Sequence, residues 1–183
     1  MDCVNLDKSN YEIIEISKVD DKIIKKLIDN LKLDLSDNFF ISFESLIKLG
    51  KKAESALESV IHEIDDHHQF KKEIFNLLLN FIKNNKIENP LLLNLYHPDF
   101  IVRANALMQI EKNNALKNLN FILPLISDPD DSVRWAVMRL LDSLDPSEKQ
   151  NTIIFKKLKK QVDVEQNPVI QKKIKKILKS ITF

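Results

Sequence analysis

Glycine is almost missing from this chain: of 183 residues, only position 50 is one. A β-rich domain of that length reverses direction many times, and its tight turns draw heavily on glycine. The scarcity points to helices. Cysteine is equally scarce, since Cys3 stands alone, which excludes an internal disulfide and a cysteine-based zinc site. Long apolar runs are lacking too. The longest, Ile74 to Ile82, is broken by Asn76 and Asn80 and falls well short of the roughly 20 residues of a membrane-crossing helix. The first residues, Met1-Asp2-Cys3-Val4-Asn5, have neither the positive nor the apolar stretch of a secretory signal. No membrane contact is therefore expected, and the cytoplasm is the expected location.

What is present suffices for a core: 44% of residues are hydrophobic and 30% charged. Net charge is only +1 but is unevenly spread. Residues 1–90 carry −4 and residues 91–183 carry +5, and most of the excess lies after Pro146, where ten lysines in 148–183 face Glu148, Asp163 and Glu165. Such a lopsided charge can steer association.

The chain repeats itself. His97-Pro98-Asp99-Phe100-Ile101-Val102-Arg103-Ala104-Asn105-Ala106 aligns without gaps to Asp128-Pro129-Asp130-Asp131-Ser132-Val133-Arg134-Trp135-Ala136-Val137, 31 residues on. The same register makes Phe39, Phe70, Val102, Val133 and Ile170 equivalent, spaced 31, 32, 31 and 37 residues apart. Four residues further lie Phe43, Ile74, Ala106, Val137 and Ile174. Seven or eight further lie Leu46/Ile47, Leu77/Leu78, Ile110, Leu140/Leu141 and Ile177/Leu178. These offsets mark one face of a helix, five times over. A shorter amphipathic segment precedes each one, at about 21–31, 53–64, 90–96, 118–126 and 146–162. Pairs of this size cannot bury their apolar faces alone and must stack.

The prolines fit this division. Asn89-Pro90, Asp145-Pro146 and Asn167-Pro168 each set a capping residue before a proline suited to a first helical turn. Asp145 with Glu148, and Ser147 with Gln150, have capping-box spacing. Pro98 and Pro129 fall in turns between paired helices, whereas Pro124 lies inside an expected helix and should kink it or move its start.

The segments 97–110 and 128–141 resemble the HEAT-repeat family, in particular the short HEAT-like repeats of the phycobilisome lyase type. Leu46-Ile47-Lys48-Leu49-Gly50-Lys51-Lys52-Ala53 looks like the L-x-x-L-G-x-x-A junction of those repeats. The resemblance implies an all-α fold, a right-handed α-α superhelix (an α-solenoid) of about five helix pairs over residues 20–183. It also implies that the second helices line an inner groove, and that an Asp in the turn and an Arg early in the second helix form a ladder of ion pairs. Asp128 or Asp130 with Arg134, and Asp99 with Arg103, match that ladder. Lys71, Phe40 and Gln171 depart from it, which should confine the ladder to the middle. Residues 1–19 fit no repeat and are expected to form an N-terminal arm or cap.

Chemistry is sparse. His62, His67 and His68 lie among Glu63, Asp65 and Asp66, but solvated turn residues explain them, and the lone His62-Glu63 dipeptide falls short of the several that hold the di-iron centre of HEAT-like deoxyhypusine hydroxylases. No glycine-rich phosphate loop or nucleophile elbow is present, and the carboxylate pairs Asp65/Asp66 and Asp130/Asp131 sit where turns and caps want Asp. No enzyme activity, metal or cofactor is expected. The leading expectation is a scaffold or adaptor that binds another protein in its concave groove through Arg103, Asn105, Arg134, Trp135 and Arg139, with the two ladder arginines shared between roles. Trp135 beside Arg134 suits a binding hot spot, and equally a space-filling place between helices. The alternative is nucleic-acid binding through Lys172, Lys173, Lys175 and Lys176.

Overall fold

Helix follows helix wherever the apolar spacing predicts one. The structure, a computed structural model, describes residues 20–65, 69–84, 90–110 and 112–181. The expected arm over residues 1–19, together with Asp66, His67, His68 and Asn89, lies outside them. Among the described residues the regular structure is all helical, with no strand.

Helix α1 (Asp21–Leu31) begins where the Asp20 carboxylate accepts a hydrogen bond from the Ile23 amide, and it buries Ile24, Leu27, Ile28 and Leu31. Ser36 caps α2 (Asp37–Leu49), which buries Phe39, Phe40, Phe43 and Leu46. Gly50, at φ 56°, ends α2 and opens α3 (Lys51–Glu63); its amide donates to the Leu46 and Ile47 carbonyls. Helix α4 (Gln69–Asn84) follows, and then the single turn α5 (Leu91–Asn94). Helix α6 (Phe100–Gln109) is capped by Asp99. Two short helices, α7 (Lys112–Lys117) and α8 (Leu119–Ile122), lead into a 3₁₀ turn, Leu123–Ser127. Asp130 caps α9 (Asp131–Ser143), Ser147 caps α10 (Glu148–Val164), and Asn167 caps α11 (Pro168–Ser180) with Pro168 in its first turn.

Three local expectations are corrected. The segment 90–96 makes only one helical turn, and Leu95 and Tyr96 leave it to enter the core. The segment 118–126 is not one helix: as expected of Pro124, the path breaks there, tightening from α to 3₁₀ at Leu123, because the ring removes an amide and opposes the α-helical path. Helix α10 starts at Glu148 rather than Pro146, because Ser147 and Gln150 close the capping box and Asp145 does not.

Helices pack in sequential pairs, α1 with α2, α3 with α4, α5 with α6, the 3₁₀ turn with α9, and α10 with α11. Second helices also meet one another, α2 with α4, α6 with α9 and α9 with α11, while α1 meets α3 and the 3₁₀ turn meets α10. The buried side chains form one continuous cluster from Ile24 to Ile177. At its centre Tyr96 packs against Phe39, Phe43 and Phe70, with ring centroids 6.0, 5.4 and 6.0 Å away. Its hydroxyl donates to the Phe121 carbonyl at 2.6 Å. Burial pushes its phenol well above the usual range, so it stays a donor.

Candidate functional site

The two arginines of the aligned motif make the same set of bonds. Arg103 Nε and Nη2 donate to the two carboxylate oxygens of Asp128 at 2.9 and 2.8 Å, and Nη1 donates to the His97 and Pro98 carbonyls. Arg134 Nε and Nη2 donate to Glu165, both at 2.9 Å, and Nη1 donates to the Asp128 and Pro129 carbonyls. In each case the acid also accepts from the backbone amide two residues on, Asp130 or Asn167. Each arginine therefore ties its own turn to the turn of the next pair.

This corrects the expected partners. Asp99 and Asp130 are consumed as helix caps, accepting from the Ile101 and Ser132 amides, so neither pairs with an arginine. The acid that Arg134 reaches, Glu165, was missed. The signal was present, because Glu165 stands 37 residues after Asp128 as Ile170 stands 37 after Val133. At the preceding equivalent position the acid is replaced by His97, and Lys71, at the arginine's register position, donates to the Lys32 carbonyl instead. At the other end Gln171 donates to the Val162 carbonyl at 3.1 Å.

The ladder takes Arg103 away from any binding surface. Its side chain is 2% exposed, and its guanidinium carbon lies 3.8 Å from the centroid of the Phe40 ring. Arg103 belongs to the core, a correction to its expected role in the groove. Arg134 is 14% exposed with the same set of donors engaged, so it too serves chiefly the fold. Burial pushes the Asp128 carboxyl up, against the pull of Arg103 and the Asp130 amide. Burial opposes ionisation of Glu165 as well, yet Arg134, the Asn167 amide and Gln161 together hold its carboxyl below the usual range.

The other expected contacts share one face. Register makes Ile101, Ser132 and Val169 equivalent on α6, α9 and α11, as are Ala104, Trp135 and Lys172, and Met108, Arg139 and Lys176. Ile101 is 54% exposed, Met108 61% and Val169 60%. Asn105, Ser132, Arg139, Lys172 and Lys176 are exposed as well. Trp135 is half-buried and packs against the core. Because α6 meets α9 and α9 meets α11, equivalent positions lie side by side on one surface.

The four candidate lysines separate. Lys172 is exposed, and Lys175 is exposed and donates to Gln171 at 2.9 Å. Lys173 is half-buried and pairs with Asp142, which also lies 3.8 Å from the exposed Lys176. The Lys173 ammonium holds the Asp142 carboxyl below its usual range. His62 and Glu63 are exposed at the end of α3. Among the described residues no group of three or more His, Cys, Asp or Glu side chains is placed to hold a metal ion, and no helix is long and apolar enough to cross a membrane. A cavity of about 340 Å³ opens between α9, α10 and α11, with Asp142, Asp145, Asn151 and Ser180 among its lining. No family model, curated protein or solved structure matches this chain.

Proposed function

We propose that the chain is a HEAT-like α-solenoid of five helix pairs, a scaffold or adaptor that binds another protein on the face of its second helices. The sequential pairing of helices and the two identical arginine bridges between successive turns support the repeat reading. One observation carries the binding reading: Ile101, Met108 and Val169 remain exposed on one surface beside the half-buried Trp135 and the exposed Arg139. Clustered exposed apolar side chains next to a Trp and an Arg are the composition of an interface, and they stay out of water only when a partner covers them. Of the contacts expected from sequence, Asn105, Trp135 and Arg139 are available for this role. Arg103 and Arg134 hold the helices that present them.

Affinity capture from the source organism, compared between the wild-type chain and a Trp135→Ala/Arg139→Ala variant, tests the reading. The variant should lose the captured protein while keeping its far-UV circular dichroism. Capture that survives the double substitution places binding on another surface. The second reading, nucleic acid held by Lys172, Lys173, Lys175 and Lys176, draws on the positive charge after Pro146. Asp142 weakens it by engaging Lys173 and approaching Lys176. Under that reading, capture would disappear on nuclease treatment.

A further inference from the structure

The face shared by α6, α9 and α11 is polarised. On α6 its exposed side chains are Ile101, Asn105 and Met108, none of them charged, and α6 contains no acidic residue. On α9 the face offers Ser132, Trp135 and Arg139; on α11 it offers Val169, Lys172 and Lys176, with Lys179 one turn further. Positive charge therefore rises from α6 to α11. The acids near it are already engaged: Asp131 accepts from Asn167 Nδ2 at 2.9 Å, and Asp142 is held by Lys173. Among the described residues, no carboxylate lies within ion-pair distance of Arg139, Lys172 or Lys179.

We propose that this face receives an acidic protein segment in one orientation, its apolar side chains over Ile101, Met108 and Trp135 and its carboxylates over Arg139 and Lys172. The proposal rests on the protein-binding reading above and adds the partner's chemistry to it. Charge complementarity selects the acid, because exposed cations without local counter-ions attract and orient an anionic partner. The apolar half selects protein over nucleic acid. Ile101 and Met108 offer phosphates no donor. Two helix-to-helix steps of about 8–10 Å separate α6 from α11. An extended segment of about six residues, at roughly 3.3 Å each, crosses that distance.

The test is a selection of random phage-displayed peptides, each about twice that length, on the full chain, followed by titration of the synthetic winners. Trp135 is the only tryptophan, so its emission reports occupancy of this face for any peptide without one. The winners should be rich in Asp and Glu at one end and in apolar residues at the other, and should shift Trp135 emission. An Arg139→Glu/Lys172→Glu variant should bind them about tenfold or more weakly, and Arg139→Gln/Lys172→Gln less weakly; both pairs are exposed and should leave helicity unchanged. Winners that shift Trp135 but carry no acidic bias, or bind the Glu variant equally, overturn the acidic assignment and leave protein binding standing. If no winner moves Trp135, both readings fall. Displacement of the peptides by oligo(dT), with an affinity that collapses as salt rises, also overturns the proposal and assigns the face to nucleic acid.

Discussion

Arg103 shows how much of this fold one side chain can hold. Its bonds to Asp128, His97 and Pro98 engage four of its five N–H donors, and burial against Phe40 keeps the guanidinium from any guest. Removing a partner from a buried pair leaves the other charge unpaired, which costs about 3–5 kcal/mol. Arg103→Ala should therefore lower the urea stability by that amount, with Arg103→Met/Asp128→Leu much less damaging because no charge is stranded. An Arg103→Ala chain as stable as wild type would show the bridge to be idle.

The second bridge predicts a pH dependence. The Glu165 carboxyl lies below its unfolded value of 4.5, so its stabilisation is fully present above that value and is lost as pH falls through the lower folded one. Thermal melts should therefore separate wild type from Glu165→Gln at about pH 6, with the gap narrowing progressively as pH falls below 4.5. Asp128, pushed up by burial, acts in the opposite sense: its contribution is present in acid and lost as pH rises through its folded value. Only the comparison with Glu165→Gln isolates the acid-side loss. The resemblance to HEAT-like repeats implied that arginines and acids would pair here but pointed to the wrong acids, because an Asp before a helix can serve either as a cap or as a bridge. Local hydrogen bonding decided it: an Asp one residue before the helix is within reach of amides that have no other partner.

Among elements, Gly50 is the junction on which α2 and α3 turn. A Cβ there would meet nothing closer than the Ile47 carbonyl at 4.0 Å, so space is not the constraint. The constraint is φ at 56°, a conformation that L side chains rarely adopt. Gly50→Ala should cost about 1–3 kcal/mol of unfolding free energy, read as a lower denaturant midpoint, with no change in helix content at rest. An unchanged midpoint would mean that the turn relaxes to another conformation. Existence and order of the helices other than α7 were legible from apolar spacing, since a buried stripe repeats every three or four residues regardless of distant context. Their ends were not. The single turn of α5 leaves Leu95 and Tyr96 in the shared core, which local periodicity does not encode, whereas the 3₁₀ turn lies beside Pro124, which the sequence does show.

Across the whole molecule, α1–α4 meet the later helices where α4 packs on α8 and at Tyr96, which packs on Phe39, Phe43 and Phe70 and donates to the Phe121 carbonyl. Tyr96 is helped by Asn120 bonding to Glu73 and by Arg103 lying over Phe40. Truncating a buried aromatic ring costs about 3–5 kcal/mol. Tyr96→Ala should lower stability by that amount and split the unfolding transition. Trp135 fluorescence, which reports the C-terminal half, and helical circular dichroism, which reports the whole, should then no longer coincide. Coincident transitions in the variant would show that cooperativity runs through the other contacts.

The helical class and the rhythm of the pairs were settled by the order of residues alone, because helical burial is a short-range pattern written into each stretch of about a dozen positions. Which acid each arginine meets, and which of the candidate contacts stay in water, were decided only when neighbouring pairs came together. Those outcomes depend on groups 25 and 31 residues apart in the chain, brought within hydrogen-bond distance by packing.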